Sequence, residues 1–215
     1  TMLKSDLLEA RFEGADLSLA DLALVRANEA NFKGAQLVDT DFTGADLGKA
    51  SFDACEGEST QFVRARLGGA RFHGAHLREA DFTAAQMEGA SFDGALLPEV
   101  RLYDVVAHGA SFRGVKMKGA RVEGAKATKA MFINVEAEGS VWEGARLDEA
   151  LFARTRRIEK PRMEALQIQA SQEGASIPIV HGRVRVAGQV IWAARVASAA
   201  VDAPPRAIEH GDCHP

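Results

Sequence analysis

Histidine, cysteine and aspartate close together can hold a metal, and His210-Gly211-Asp212-Cys213-His214 supplies those donors. A Cys adjacent to a His chelates poorly and the run closes the sequence, so neither a metal site nor a cofactor is expected. The second thiol, Cys55, occupies a position that elsewhere holds only small residues. Burial there keeps a thiol protonated and inert. No Gly-rich phosphate loop, HExxH, GxSxG or paired CxxC occurs in the sequence, and the chain is expected not to be an enzyme. What remains is charge at regular spacing. Asp21, Asp41 and Asp81 recur at multiples of twenty residues, as do Arg26, Arg66, Lys126 and Arg146. Rows of like charge repel unless a partner uses them, which makes these seven residues candidate partner-binding groups.

A repeat must bring such residues together. The 11 phenylalanines fall at 12, 32, 42, 52, 62, 72, 82, 92, 112, 132 and 152, all in one register of five. From Leu7 to Phe152, 24 of the 30 positions in that register hold Leu, Phe, Met or Trp. Two residues earlier, all 30 positions from Ser5 to Ala150 are small or β-branched, 20 of them Ala. Gly recurs two residues after the large one, as at Gly14, Gly34, Gly44, Gly74, Gly94, Gly114 and Gly144, marking a corner where the backbone needs positive φ. Five residues fit neither the helical nor the strand period, so a longer unit must close. Phe12, Phe32, Phe52, Phe72, Phe92, Phe112, Phe132 and Phe152 give that unit as twenty residues, four pentapeptides to a turn. Turns stacked at the strand spacing of about 4.8 Å make a rod roughly 36 Å long with a core of stacked like residues.

Ala15-Asp16-Leu17, Ala45-Asp46-Leu47-Gly48 and Ala30-Asn31-Phe32-Lys33-Gly34 resemble the unit of the pentapeptide-repeat family: small residue, Asp or Asn, Leu or Phe, polar, Gly. The resemblance covers residues from about 5 to 153. It implies an all-β fold, a right-handed quadrilateral β-helix of about 7.5 coils, with the small and large positions inward and the other three outward. His73, His76 and His108 then fall on outward, solvated positions. Glu56-Gly57-Glu58-Ser59-Thr60 lacks the central apolar residue, and Val105 to Ala107 and Ala125 to Ala127 are underfilled; these turns are expected to be soft.

After Phe152 the register ends, and Arg154, Arg156, Arg157, Lys160 and Arg162 crowd together. This divides the chain into a repeat domain, 1–153, and a C-terminal extension, 154–215. The spacing of Met163, Leu166 and Ala170 after Pro161 predicts a short capping helix. The β-rich pieces that follow predict a hairpin, and because a solenoid's last turn needs covering, the extension reads as a lid. Its sharper use is docking or homodimerisation through Ile191 and Trp192.

The chain has 215 residues and a net charge of −4, too small to announce nucleic acid or membrane as a partner. No apolar run is long enough to span a membrane and no secretory leader is evident, so a cytoplasmic protein is expected. Residues 1–60 hold 12 acidic and 5 basic residues (net −7), residues 61–153 hold 12 of each, and residues 154–215 hold 6 and 9 (net +3). Two functions follow. One is a protein–protein interaction scaffold or adaptor, for instance a secretion or toxin accessory protein. The other is implied by the resemblance: some family members imitate duplex DNA and protect or inhibit a type II topoisomerase such as DNA gyrase, although only the N-terminal part of this chain is acidic enough.

Overall fold

The computed structural model describes residues 5–155, together with the backbone of 183–186 and 189–192. From Asp6 to Ala153 the chain is an all-β solenoid in which each residue of a rung faces the residue twenty further on. Asp6 bridges Arg26, Arg26 bridges Asp46, Asp46 bridges Arg66, and the other three walls follow the same rule. Most walls contribute a single bridging residue per turn. In two places the ladder widens to three residues: β1 (Glu56–Glu58) pairs in parallel with β2 (His76–Arg78), and β3 (Met131–Ile133) with β4 (Leu151–Ala153).

The five-residue unit follows from where its amides go. In the unit around Phe12, the Phe12 N–H donates to the Asn31 carbonyl at 2.7 Å and the Gly14 N–H to that of Lys33 at 2.9 Å, both one turn on. Within the unit the Ala15 N–H closes a turn on the Phe12 carbonyl at 3.1 Å. One turn on, the Asn31 N–H donates back to Ala10 at 2.8 Å. Four amides of every five are thus satisfied by backbone, and the fifth, on the residue after the large one, points outward. An Asp or Asn two residues before it often supplies the acceptor: Thr43 N–H to Asp41 Oδ1 at 2.7 Å, Thr83 to Asp81 at 2.8 Å, Lys33 to Asn31 at 3.0 Å. This Asx turn is the physical reason for an acidic or amide residue at that position.

The third residue of each turn has φ between +51° and +72°, as a type II geometry demands. Glycine holds 13 of these corners, and 17 others carry side chains, among them Leu19, Leu24, Ala84 and Glu149. Each such non-glycine corner costs on the order of 1 kcal/mol.

Inside, the large residues stack turn upon turn. Phe32 and Phe52 lie with ring centroids 4.7 Å apart, Phe52 and Phe72 4.8 Å, and Phe72 and Phe92 4.6 Å, with rings nearly parallel. A second column, Phe42, Phe62 and Phe82, meets the first edge-on at 5.4–5.7 Å. The rings from Phe32 to Phe92 therefore join stacked and edge-to-face contacts, both favourable aromatic geometries. The column extends from Phe12 to Phe152, whose terminal rings are only partly buried. Trp142 takes the place of phenylalanine near one end, and its indole N–H is satisfied by Ser140 Oγ at 2.7 Å.

At Gly57, which lacks the large inward residue of its register, neighbouring side chains close on the backbone. A Cβ built on Gly57 would press on Thr60 Oγ1 and stand 3.1 Å from Leu77 Cδ2 and 3.3 Å from Leu37 Cβ. Thr60, in a position that usually holds Ala, turns its hydroxyl onto the Leu37 carbonyl at 2.8 Å and occupies the missing volume. Gly57 accordingly lies within a regular strand. Ala107 and Ala127 are buried.

Beyond the solenoid, β5 (Arg183–Val186) and β6 (Gln189–Trp192) pair antiparallel. β6 lies beside β4, the last rung. The helix expected at 161–174 and the metal-donor run at 210–214 fall outside the described residues.

Candidate protein-binding faces

Each wall of the solenoid presents two outward positions per turn, and the fold fixes their neighbours. On the wall whose inward column begins Leu22, Phe42 and Phe62, Asp21 and Asp41 are direct bridge partners. Both direct Oδ1 to their own turn, Asp21 to the Ala23 N–H at 3.2 Å and Asp41 to Thr43 at 2.7 Å. Neither carboxylate forms an ion pair among the described residues. Asp81, two turns further, also caps its turn but pairs with Arg101 at 3.7 Å. The aspartate row singled out by spacing is thus real, yet each member has a folding role, and only Asp21 and Asp41 stand stacked without a cation.

The basic row divides in the same way. Arg26 pairs with Asp6 at 3.2 Å and Arg146 with Asp148 at 3.8 Å, whereas Arg66 and Lys126 are exposed and form no ion pair among the described residues. Ile191 and Trp192 belong to β6.

Beside the Phe column the outward charges bond largely to main-chain amides and neutral groups. Asp93 accepts the backbone N–H of Arg113 at 3.1 Å, while the Arg113 guanidinium turns to Met131 Sδ at 3.2 Å. Asp53 accepts the His73 N–H at 3.0 Å and pairs with Arg71. His73 Nε2 lies 2.7 Å from Ser91 Oγ, and its Nδ1 3.8 Å from Asp53 Oδ1. Because Asp53 already serves an arginine and a main-chain amide, this row acts as a polar ladder along the wall. Offsets of 18 and 20 residues were the signal for it: outward residues on either side of the large position meet diagonally across a rung.

Twenty-residue rungs, a five-residue turn with an Asx cap and a column of large inward residues define one repeat architecture. The chain carries pentapeptide repeats. The family model for a pentapeptide repeat region matches residues 25–102, and that for pentapeptide repeats in eight copies matches residues 5–44. No curated protein matches the chain. Among solved structures, the chain is similar to HetL, a pentapeptide repeat protein involved in heterocyst differentiation regulation from the cyanobacterium Nostoc sp. strain PCC 7120. The identity is 20%, covering 72% of this chain and 86% of that one, with a TM-score of 0.32. It is also similar to QnrB1, a plasmid-mediated fluoroquinolone resistance protein, at 16% identity over 78% and 88% of the two chains, TM-score 0.36. A pentapeptide repeat protein of the Arabidopsis thaliana thylakoid lumen matches at 23% identity over 72% and 70%, TM-score 0.25.

Cys55 is fully buried, and desolvation pushes its thiol up to about 12. Asp16 titrates below its ordinary value because the Ser18 hydroxyl and amide both bond its carboxylate. No group of His, Cys, Asp and Glu suited to a metal occurs among the described residues, and none of their helices is long and apolar enough to cross a membrane.

Proposed function

We propose that this rod is a protein-binding scaffold rather than a catalyst, displaying outward side chains in fixed columns to a protein partner. The observation that carries the reading is the Asp21–Asp41 stack. Two carboxylates on adjacent rungs, held in place by their own Asx turns and without an ion pair among the described residues, repel each other. A cationic partner relieves that repulsion. The C-terminal extension, 154–215, acts in this proposal as a cover for the last rung, with β6 against β4. Docking or homodimerisation through Ile191 and Trp192 is its alternative use. A cytoplasmic adaptor, such as a secretion or toxin accessory protein, is one setting for such a scaffold.

Affinity capture with the full chain and with residues 1–153 tests this. Specific protein partners retained by the full chain support the scaffold, and partners lost with the extension assign docking to it. Failure of both baits to retain any partner refutes the scaffold.

A second reading is supported by the charge asymmetry, net −7 over residues 1–60. An acidic rod of this width is a stand-in for duplex DNA, and the partner would then be a type II topoisomerase. Gyrase supercoiling and drug-induced cleavage assays at stoichiometric protein decide it. Wild-type protein alters either activity, and Asn at positions 21, 41 and 81 weakens the effect; no change in either assay removes the reading.

A further inference from the structure

The exposed large apolar side chains of the described residues are Leu8, Leu19, Leu24 and Val38, all in the first two turns. Three of them frame the Asp21–Asp41 stack. Leu19 and Leu24 stand at the two corners that bound the wall carrying Asp21 and Asp41. Leu19 is 77% exposed and Leu24 46%. Leu24 lies over the next corner, Gly44, where an added Cβ would come 2.7 Å from Leu24 Cδ2. Val38 adjoins Leu19 across the rung, its carbonyl accepting the Leu19 N–H at 2.8 Å, and is 38% exposed. Between the leucines lie only short side chains, Asp21, Ala23, Asp41 and Thr43. The result is a flat strip with two carboxylates at its centre that form no ion pair among the described residues, and an apolar rail on each side.

Nothing in the fold asks for leucine at these corners. Both adopt the left-handed conformation, φ +60° and +58°, which a leucine takes at a cost and glycine or asparagine takes readily. The fold's own demands therefore run against the residues found. A strained, exposed apolar side chain repeated on both sides of an uncompensated acidic pair points to use at an interface.

Resting on the scaffold reading, we infer that this strip receives a short cationic peptide segment of a partner protein, with a Lys or Arg over Asp21 and Asp41 and apolar neighbours against Leu19, Leu24 and Val38. Charge complementarity selects this occupant. A second copy would bring the same two carboxylates against the first pair, and an acidic segment would do likewise. Apolar rails distinguish it from a surface that merely mimics phosphate charge, for which the leucines contribute nothing.

The test uses the full chain and a fluorescein-labelled octapeptide of alternating Val and Lys, with the Ser–Lys and Val–Glu octapeptides beside it, followed by anisotropy at low salt. The Val–Lys peptide binds. The Ser–Lys peptide binds at least about tenfold more weakly and the Val–Glu peptide does not bind. Two double variants locate the site. Leu19→Asn with Leu24→Asn keeps the corner geometry, and Asp21→Asn with Asp41→Asn keeps the acceptor for the turn amide; each weakens Val–Lys binding by about tenfold with a melting temperature at or above the parent's. Equal affinity for the Val–Lys and Ser–Lys peptides, no loss in the leucine variant, or no Val–Lys binding at all overturns the inference. A partner captured in the scaffold assay that binds both double variants as well as the parent overturns it too, while leaving the scaffold reading intact.

Discussion

Restoring the repeat pattern at Gly57 should harm the protein. By sequence register this position belongs to the large inward series, so Gly57→Leu looks like a repair. The structure gives the opposite sign. The φ of Gly57 is not in the left-handed region, so the backbone itself accepts a side chain. Space does not, because the new Cβ collides with Thr60 Oγ1 and crowds Leu77 and Leu37 before the rest of the leucine is placed. Overpacking of this kind costs about 1–3 kcal/mol. Displacing Thr60 also breaks its hydroxyl bond to the Leu37 carbonyl, a further loss of about 1 kcal/mol. The expected total is about 2–4 kcal/mol. In a domain of this length each kcal/mol lowers the melting temperature by about 2–4 °C.

Changing Thr60→Ala in the same chain removes the obstacle, so the pair should couple. Thr60→Ala alone opens a cavity beside Gly57 and loses the hydroxyl bond, costing about 1–2 kcal/mol. The double variant should be more stable than the two single losses predict by about 1–3 kcal/mol. Urea unfolding of the four proteins, followed by circular dichroism, measures every arm of the cycle. A single Gly57→Leu variant that melts above the parent, or a cycle that sums to zero, would refute the claim that Thr60 fills the gap.

Ser140→Ala strips the acceptor from the buried Trp142 indole N–H and should cost about 1–3 kcal/mol in urea unfolding; a Ser140→Thr variant retains the acceptor and most of the stability. At the corners, Ala84→Gly relieves a positive φ of 57° and should raise the melting temperature, whereas Gly74→Ala, which meets nothing within 4 Å but has φ +63°, should lower it by the cost of the left-handed conformation alone, about 1 kcal/mol. Cys55, held neutral up to about 12 in the fold, releases its proton in the unfolded chain from about pH 8.5. Its contribution is therefore fully present below that pH and declines as pH rises toward 12, so the parent should lose stability relative to Cys55→Ala between about pH 8.5 and 10, as chemical unfolding at each pH will show.

The solenoid was legible because its signal is a register shared by every turn. Phenylalanines locked to one residue class in five, with alanine two residues before, leave a single way to bury both, and Phe32, Phe52 and Phe72 stack as that register requires. Gly57 was legible only as a missing large residue, because register reports the residue at a position, not the one that reaches into it. Thr60 lies in the small class, and a threonine there is compatible with either an alanine-like filler or a plug. The site was half legible. Spacing placed Asp21 beside Asp41, but it could not separate that pair from Asp81, whose neighbour Arg101 is one turn on along the same wall. Leu19 and Leu24 escaped notice because they occupy corner positions, outside the apolar register, where a residue type carries no burial information.

Aspartate in this architecture has two separable meanings, and confusing them inflates any estimate of binding charge. At the position before the large residue its Oδ1 completes the backbone accounting of the turn, as at Asp16, Asp21, Asp41 and Asp81. Asparagine performs the same service at Asn31. The negative charge is then an addition that the turn does not require, and the neighbouring turns show how it is disposed of. Arg26 answers Asp6, and Arg101 answers Asp81, each from the next rung. Where the rung above carries a second aspartate instead, as Asp41 does over Asp21, a neutral asparagine would have capped both turns with no repulsion. The retention of two charges where the fold needs two acceptors, between corner leucines the fold does not favour, is what separates this strip from the rest of the rod.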